Sequence, residues 1–321
     1  ARAPTADGER GVNDDRKTRR RRRRGRLRLA LARAALWLLG RLSLAGAQRL
    51  GRWLGRAFWL ANGKTRRVVE DNLARCLPGL DHAARERLAR RTLIETGMGL
   101  VETAPIWRWK RPRLHTVIRD TPGFEAIEQV LATGRGAILL APHMGNWELG
   151  GLVTSGLTQT TIMYRPPREP ALESLLNEAR SRSGAEMAPA NLRGVRQALR
   201  ALKRGELVAI LPDQAPRSGE GVLAPFFGHP ALTMTLIRTL SQRTGAPAFT
   251  GWAERLPDAA GFRTHYAPVI EPVDAEDPEA AAAALNREIE RVVRQKPEQY
   301  QWTYRRFQRQ ASGRARRAER S

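Results

Sequence analysis

After about residue 121, segments with apolar residues at helical spacing alternate with short apolar runs that have the length of strands. Phe124, Ile127, Val130 and Leu131 follow helical spacing and end at Gly134, and the apolar run that comes next, 137–141, has the length of a buried strand. This alternation continues to a final helix that we expect to begin with Asp277 and Pro278. Strand-like runs stand at 160–164, 207–211, 246–254 and 262–270, and helices are predicted at 170–182, 191–204 and 234–245. The pattern predicts an α/β fold, with a mixed, mostly parallel central sheet flanked by helices.

The first part of the chain is helical in pattern, with segments predicted at 65–76 and 83–98. Before them, the Pro-free segment 27–60 also predicts a helix, but its longest charge-free stretches, 34–40 and 42–48, are far shorter than the roughly 20 apolar residues that span a bilayer. At about 100° per residue, six arginines occupy one half of this helix and Leu, Ala and Trp the other. The six are Arg26, Arg33, Arg41, Arg49, Arg52 and Arg56.

Such a helix is typical of one that lies at a membrane surface, with arginines at lipid phosphates and Trp37, Trp53 and Trp59 at the apolar boundary. A helix that packs on the core and exposes an arginine face is the alternative. Arg33 and Arg41 interrupt any signal-peptide core, so we expect the bulk of the protein to stay cytoplasmic.

The net charge indicates which partners the protein binds, and the cysteine content excludes some kinds of site. The chain of 321 residues has 56 Lys and Arg against 32 Asp and Glu, and the net charge of +24 favours anionic partners, either nucleic acid, anionic lipid or an acidic substrate. The single cysteine, Cys76, excludes an intrachain disulfide and a cysteine-based zinc site, and we expect it to be buried. No GxGxxG, P-loop or HExxH motif is present. We predict a disordered polybasic leader (1–26), the membrane helix (27–60), a main domain (61–310) and a basic tail (311–321).

The candidate chemistry lies at the end of the strand predicted at 137–141. His143 follows that strand, and Glu148 lies five positions later at the start of a helix. A neutral histidine is a good general base near pH 7, and a carboxylate on its far ring nitrogen fixes the tautomer. Five residues on a straight helix are about 140° apart, so only a strand-to-helix turn brings the two side chains together. From the residues alone, a structural role for the pair stays open.

The segment HMGNWE at 143–148 matches the H-x4-[DE] signature of glycerolipid-type acyltransferases, and its NWE form resembles the bacterial lipid A secondary (late) acyltransferases. Further matching segments extend the resemblance over about residues 42–307. They are NLARCLP at 72–78, GLVETAPIW at 99–107, MYRPPREP at 163–170, LPDQAP at 211–216, FFGHPALT at 226–233 and PEQYQWTYRRF at 297–307. One departure is Glu169, where the family often has Asn before the final Pro of this element.

The resemblance implies transfer of a fatty acyl chain from acyl carrier protein to a hydroxyl of a lipid A precursor at the cytoplasmic face of the inner membrane. It implies His143 as general base and Glu148 as its partner, and the reaction needs no metal or organic cofactor. Arg165, at a strand end, is expected to bind a phosphate or the oxyanion, with Asp213 orienting Arg165 or its loop. Asn146, Tyr164 and Gln214 complete this predicted substrate-binding and oxyanion set.

Three further residues, Phe226, Phe227 and Thr233, are expected to line an acyl groove, although they would equally serve to fill the core. A surface role for Arg165 and a plain turn role for Asp213 are the corresponding alternatives.

Two other functions stay open at this level. The acceptor could be a different glycerolipid or glycolipid, and the donor could be acyl-CoA. The arginine run instead favours a nucleic-acid-binding protein, but the basic residues stand beside Leu and Trp at helical spacing, and no recognised binding motif or aromatic stacking platform is present. We therefore expect no nucleic-acid partner.

Overall fold

The computed structural model describes residues 30, 32–167, 170–217 and 219–307. The predicted leader (1–26), the basic tail (311–321) and Glu169 lie outside the described residues. Residues 32–39 are helical. The helices that follow are α1 (Leu44–Leu60), α2 (Lys64–Cys76), α3 (His82–Arg108), α4 (Arg111–Val117), α5 (Phe124–Ala132), α6 (Trp147–Leu157), α7 (Pro170–Ser181), α8 (Leu192–Lys203), α9 (Leu236–Thr244) and α10 (Pro278–Val293). The strands are β1 (Ile118–Asp120), β2 (Ala137–Leu140), β3 (Thr160–Tyr164), β4 (Glu186–Pro189), β5 (Leu207–Ile210), β6 (Gly221–Phe226), β7 (His229–Met234), β8 (Ala248–Arg255) and β9 (Phe262–Pro268).

Seven strands form one sheet in the order β1-β9-β8-β2-β5-β3-β4. Every neighbouring pair is parallel except β8 and β9, which are antiparallel. The predicted α/β class with a mixed, mostly parallel sheet flanked by helices is therefore confirmed. Because β2, β5 and β3 are adjacent and parallel, the segments that follow them leave the sheet at the same edge.

The two faces of the sheet are covered by different helices. Ile138, Val208 and Ile210 pack in one core with residues of α8, α9 and α10. Leu139 and Ala209, which alternate with them, pack on the other face with Phe124, Ile127 and Tyr266. On that second face, α6 lies over β3 and β8 and is itself packed against α3 and α7. Alternate burial on both faces explains why the central strands read as continuous apolar runs.

The predicted helix 27–60 is not continuous. Residues 32–39 are helical, the chain turns at Gly40–Leu42, and α1 starts after Ser43, whose hydroxyl accepts a hydrogen bond from the Gly46 amide at 3.1 Å. A serine that caps the next helix competes with helix continuation, and the periodicity does not reveal this break. None of the helices in the described ranges is long and apolar enough to cross a bilayer.

The face of α1 that packs on α3 is made of small residues. A Cβ added to Gly51 would lie 2.4 Å from Met98 Cα, and one added to Gly55 would lie 2.4 Å from Ile94 Cα, so only glycine permits this approach of the two helices. Leu50, Trp53 and Leu60 are exposed instead. The helix thus packs on the core through its small residues and leaves large apolar side chains at the surface. Its contact with a membrane stays a prediction.

A separate antiparallel hairpin of β6 and β7 packs on α10. Its turn at Phe227 and Gly228 has positive φ at both positions, 49° and 76°. The sequence pattern did not predict this hairpin, nor β1, β4 and α4. Each of these is short, and burial and pairing with distant segments rather than local periodicity define such elements.

Candidate functional site

His143 and Asp213 meet because their strands are adjacent and in register. Leu140 and Ile210 are paired across β2 and β5, and each functional residue lies three positions after its member of that pair. The His143 ring Nδ1 lies 2.8 Å from Asp213 Oδ1, and the His143 backbone amide donates to Oδ2 of the same carboxylate at 3.0 Å. Two adjacent strand ends therefore hold an imidazole and a carboxylate in one fixed arrangement.

Electrostatics favour the ionised form of the Asp213 carboxyl. Burial raises the pKa of the Asp213 carboxyl, but the charge of His143 and its two hydrogen bonds outweigh burial and hold that pKa below its usual range. The ionised carboxylate can only accept a hydrogen bond, so Nδ1 is assigned the hydrogen that it donates and Nε2 the lone pair of the imidazole. The Gln214 amide nitrogen faces this Nε2 at 3.3 Å, and Trp147 packs edge-on against the ring. The arrangement is that of a general base held in one tautomer.

The loop that carries His143 is clamped by a distant segment of the chain. The Gly145 amide donates to the Gln299 carbonyl and the Gln301 amide donates to the His143 carbonyl, both at 2.9 Å. Gly145 has φ +57°, and a Cβ there would lie 1.8 Å from the Ala253 carbonyl oxygen, so the loop needs glycine at this position. These contacts explain why the segment 297–307, far along the sequence, contributes to the site.

Glu148 does not contact His143, and the predicted His143–Glu148 pairing is wrong. Its carboxylate accepts from Arg180 Nη2 at 2.6 Å and Nε at 3.0 Å, and from Trp107 Nε1 at 3.0 Å. Burial lowers the pKa of the Arg180 guanidinium, but the hydrogen bonds and charge of Glu148 outweigh burial and raise it. The start of α6 turns Glu148 away from the base and toward α3 and α7, which leaves Asp213 as the carboxylate partner of the imidazole.

A cavity of about 580 Å³ opens beside His143. One arm runs under α6, where Gly150, Gly151 and Thr154 face the sheet residues Leu139 and Ile162. This arm is walled by Tyr266, whose hydroxyl is 2.8 Å from Thr154 Oγ1. The start of α8, the start of α9 and the loop after β5 line another part of the cavity, and we take this part as the mouth because several of its side chains are exposed. Its lining residues include Asn191, Leu192, Val195, Thr235, Leu236 and Arg217. The volume and the mainly apolar arm suit an acyl chain next to a polar reaction centre.

Four of the other predicted binding residues divide into two groups. Arg165, Tyr164 and Gln214 line the cavity, and Tyr164 is fixed by a 2.7 Å hydrogen bond to Glu173. Asn146 does not line it. The side-chain oxygen Oδ1 of Asn146 caps α6 by accepting from the Leu149 amide, and the side-chain nitrogen Nδ2 donates to the buried Glu102 at 2.8 Å. Its predicted place in the substrate or oxyanion set is therefore wrong, since capping and burial use both ends of the side chain.

Asp213 also differs from its predicted use, because it binds His143 and does not orient Arg165. Cys76 is buried in an apolar cluster, as expected, and burial raises the pKa of its thiol to about 12. In the described part of the chain, no group of three or more His, Cys, Asp and Glu side chains is arranged to hold a metal ion.

The predicted acyl groove of Phe226, Phe227 and Thr233 is wrong. Both phenylalanines are buried in the cluster between the hairpin and α10, and Thr233 binds Asn286 and Arg306 there. None of the three lines the cavity. The inward side of a hairpin that packs on a helix fills the core, which is the alternative stated for these residues.

Sequence reasoning gave no role to Arg180, or to Trp107 and residues 299–301, although the latter lie in the matching segments 99–107 and 297–307. Arg180 is one of many arginines and stands in an otherwise ordinary helix, so composition hides it. The pairing of His143 with Asp213 had a visible signal, because APH at 141–143 and LPD at 211–213 each follow a buried strand with proline before the polar residue.

Comparison with known proteins finds relatives that match most of the chain. Residues 16–309 match the family model described as bacterial lipid A biosynthesis acyltransferase. The lipid A biosynthesis lauroyltransferase of Escherichia coli (strain K12) is 31% identical over 283 residues, which cover 87% of this chain and 90% of that protein. The palmitoleoyltransferase of the same organism is 32% identical over 242 residues, 75% of this chain and 78% of the relative. A phosphatidylinositol mannoside acyltransferase of Mycobacterium tuberculosis is 31% identical over 133 residues, 39% of this chain and 40% of that protein.

Proposed function

Because the chain belongs to the bacterial lipid A biosynthesis acyltransferase family, we propose that it transfers a fatty acyl chain from acyl carrier protein to a hydroxyl of a lipid A precursor. The observation that carries the proposal is the His143–Asp213 pair at the cavity, with Nδ1 held at 2.8 Å from the carboxylate. Membership of this family shows that the chain is an acyltransferase of lipid A biosynthesis. The donor, the mechanism and the residue roles are the proposal.

In this mechanism, His143 Nε2 takes the proton of the acceptor hydroxyl as its oxygen attacks the thioester carbonyl carbon. The tetrahedral intermediate then collapses, the carbon–sulfur bond breaks, and the imidazolium returns the proton to the departing sulfur. Asp213 stays ionised throughout and stabilises the imidazolium, which is the role of the acid in a Ser-His-Asp triad. No covalent acyl-enzyme forms, since the acceptor itself is the nucleophile.

Cations at the cavity supply the charge that the reaction needs. Arg165 lines the cavity and is exposed, so its guanidinium is available to an acceptor phosphate or to the oxyanion. Arg180 also lines the cavity but is held by Glu148. We assign Glu148 a positioning role, in which it fixes Arg180 and the first turn of α6, and through Trp147 the packing around the His143 ring.

The arm under α6 is the proposed acyl site. Gly150 and Gly151 leave space between α6 and the sheet, and the Tyr266–Thr154 hydrogen bond forms a polar boundary to the apolar arm. An acyl chain that enters beside His143 would place its thioester carbonyl near Nε2. In this arrangement the depth of the arm limits the chain length.

We further propose that the protein works at the cytoplasmic face of the inner membrane, on the surface that carries Leu50, Trp53 and Leu60 of α1. These residues stand at i, i+3 and i+10 on one helix and are exposed. Leu100 of α3, which packs on α1, is exposed as well. Large apolar side chains flanked by Arg49, Arg52 and Arg56 suit the headgroup region of an anionic bilayer.

One relative supports a second class of acceptor, glycolipids other than lipid A. The mycobacterial protein that matches 39% of this chain is named a phosphatidylinositol mannoside acyltransferase. The same base, cavity and membrane surface would serve a hydroxyl of a glycolipid other than lipid A. The lipid A relatives cover 75% to 87% of the chain, and this wider coverage favours lipid A.

Mass spectrometry of lipid A from cells with and without the gene tests the proposed function. We expect lipid A from the deleted strain to lack one secondary acyl chain, and the mass difference gives the length of that chain. Complementation with the wild-type gene, but not with H143A, should restore it. Unchanged lipid A together with the loss of an acyl group from another glycolipid would replace the lipid A proposal by the second acceptor class.

A further inference from the structure

A row of four cations covers the outward side of α8, the helix that begins at the cavity mouth. We call this row the α8 basic face, and it consists of Arg193, Arg196, Arg200 and Lys203. Their spacing of three, four and three residues places them along one side of the helix. All four are exposed, and none forms an ion pair with a carboxylate of the described residues. Arg204, just past the helix end, is by contrast paired with Glu206 at 2.7 Å.

The core holds α8 in a fixed position under this face. Ala198, Ala201 and Leu202 are buried against the sheet. Asn191 caps the helix by accepting from the Gly194 amide at 3.1 Å. A Cβ on Gly194 would lie 1.8 Å from the Pro189 carbonyl oxygen, so the start of α8 sits directly on the end of β4. The four cations therefore extend from a helix that is packed on the sheet and capped at its start.

The α8 basic face adjoins the cavity. Asn191, Leu192 and Val195 of the first turn line the same cavity as His143. Leu192 is nonetheless 78% exposed, so an apolar side chain stands at the border between the mouth and the basic face. Arg217, also exposed, lines the same cavity. A partner bound on this face would be able to deliver a flexible acylated arm to the base.

We propose that the α8 basic face is the docking surface for an acidic acyl carrier protein, with Leu192 as an apolar contact beside the entrance. The inference rests on the proposed function, because it assumes that the donor is a protein that carries the acyl chain. Charge complementarity supports it, since four unpaired cations in a row match an acidic helix of the partner and would speed its encounter.

A lipid bilayer is the other anionic surface to weigh, and the fold argues against it at this place. The exposed apolar residues proposed for the membrane are on α1, which packs on α3. That pair adjoins α6, on the face of the sheet that carries Leu139, whereas α8 covers the face that carries Ile138 and Ile210. On α8 itself, Leu192 is the one large apolar side chain that is exposed, whereas a bilayer contact needs cations and an apolar face together.

Charge reversal of two central residues tests the proposal in the full-length enzyme. R196E/R200E is compared with R87E/R91E, which reverses two exposed arginines at the same spacing on α3 and changes the net charge equally. The initial rate is measured against the concentration of acyl carrier protein loaded with a fatty acyl chain. Three further readouts are the rate with the same acyl chain on a pantetheine thioester, binding of the carrier protein by fluorescence anisotropy, and co-sedimentation with phosphatidylcholine vesicles containing phosphatidylglycerol.

For R196E/R200E we expect the KM for the acylated carrier protein to rise about tenfold, with kcat and the pantetheine thioester rate retained. R87E/R91E should behave as wild type. A KM equal to that of wild type overturns the docking surface. If such a variant also loses vesicle binding, the α8 basic face contacts lipid instead of the carrier protein. A wild-type enzyme that acylates from pantetheine or CoA thioesters but neither binds nor uses the carrier protein overturns the proposed donor as well, and this separates the two failures.

Discussion

The carboxylate of Asp213 holds His143 at two points, the ring Nδ1 at 2.8 Å and the backbone amide at 3.0 Å. The ring contact fixes the tautomer, and the backbone contact fixes the loop that carries the ring. Both depend on the pairing of β2 with β5, because each residue lies three positions beyond the register pair Leu140 and Ile210. The sheet itself thus sets the geometry of the proposed base.

Replacement of Asp213 by Asn is expected to reduce kcat/KM by about 10²–10⁴-fold. The amide is neutral and no longer stabilises the imidazolium that forms when His143 accepts a proton. Steady-state rates of acyl transfer measure this, with circular dichroism as the check on folding. A D213N enzyme with a rate within a few-fold of wild type would exclude Asp213 as the partner of the base.

The same substitution has a consequence for stability that depends on pH. The pKa of Asp213 in the folded protein lies below the ordinary value of 3.8, so its ionisation stabilises the fold above that pH, and this contribution is lost as the pH falls through the lowered pKa. We expect the difference in free energy of unfolding between wild type and D213N to shrink as the pH falls below about 4. Urea titrations across this range measure it.

Glu148 and Arg180 are predicted to stabilise each other without acting in proton transfer. Each single substitution, E148Q or R180M, should lower the free energy of unfolding by about 1–3 kcal/mol, because it leaves a largely buried polar group without its partner. The double variant should lose less free energy of unfolding than the two single variants together. Thermal or urea unfolding measures this difference. The exposed pair Glu271 and Arg287 is the control, and E271Q should change stability by less than about 1 kcal/mol.

Activity separates positioning from proton transfer at Glu148. We expect E148Q to retain much more activity than D213N, since Asp213 contacts the imidazole and Glu148 does not. If E148Q were the more damaged of the two while remaining as stable as wild type, Glu148 would have to act on the reacting groups directly.

Much of the fold was visible in the sequence, and the reason differs from element to element. Apolar runs such as 137–141 and 207–211 predicted the central strands because both faces of these strands are buried. His143 and Asp213 were both found as strand-end residues, but their contact was not, since the order of strands in the sheet is a long-range property that local periodicity does not contain. Glu148 was assigned to the wrong partner because proximity in sequence favoured it over Asp213, 70 residues away.

The length of the transferred chain should respond to Gly151. A Cβ at this position would meet only Ile162 Cδ1, at 3.5 Å, so a larger side chain fits α6 and extends into the arm under it. We expect G151V to shift the preference toward shorter acyl chains in competition assays with donors of several lengths, read by mass spectrometry of the product. Helix stability should not fall, because glycine is the poorer helix former.

Gly79 provides the control for this substitution, since nothing lies within 4 Å of a Cβ built there. G79V should leave the product distribution unchanged. An unaltered distribution in G151V as well would show that the acyl chain does not occupy this arm.

Membrane binding should depend on Trp53. The side chain is 70% exposed on α1, and W53E places a charge where apolar contact is proposed, so binding to vesicles that contain anionic lipid should fall about tenfold or more. Ile270 is exposed to a similar degree but lies after β9, and I270E is the matched control. Co-sedimentation measures both variants. Equal losses, or none for W53E, would contradict the assignment of this surface.

The rate of acyl transfer by H143A is the most direct test of the proposed base. The matched control is H265A, because His265 also contacts a carboxylate, Glu254 at 2.8 Å, but does not line the cavity. With purified enzyme, acylated carrier protein and a lipid A precursor, we predict that H143A loses about 10²–10⁴-fold in rate. H265A should keep most of its activity, and both should remain folded and bound to vesicles. A folded H143A enzyme that transfers the acyl chain at the wild-type rate would contradict the account.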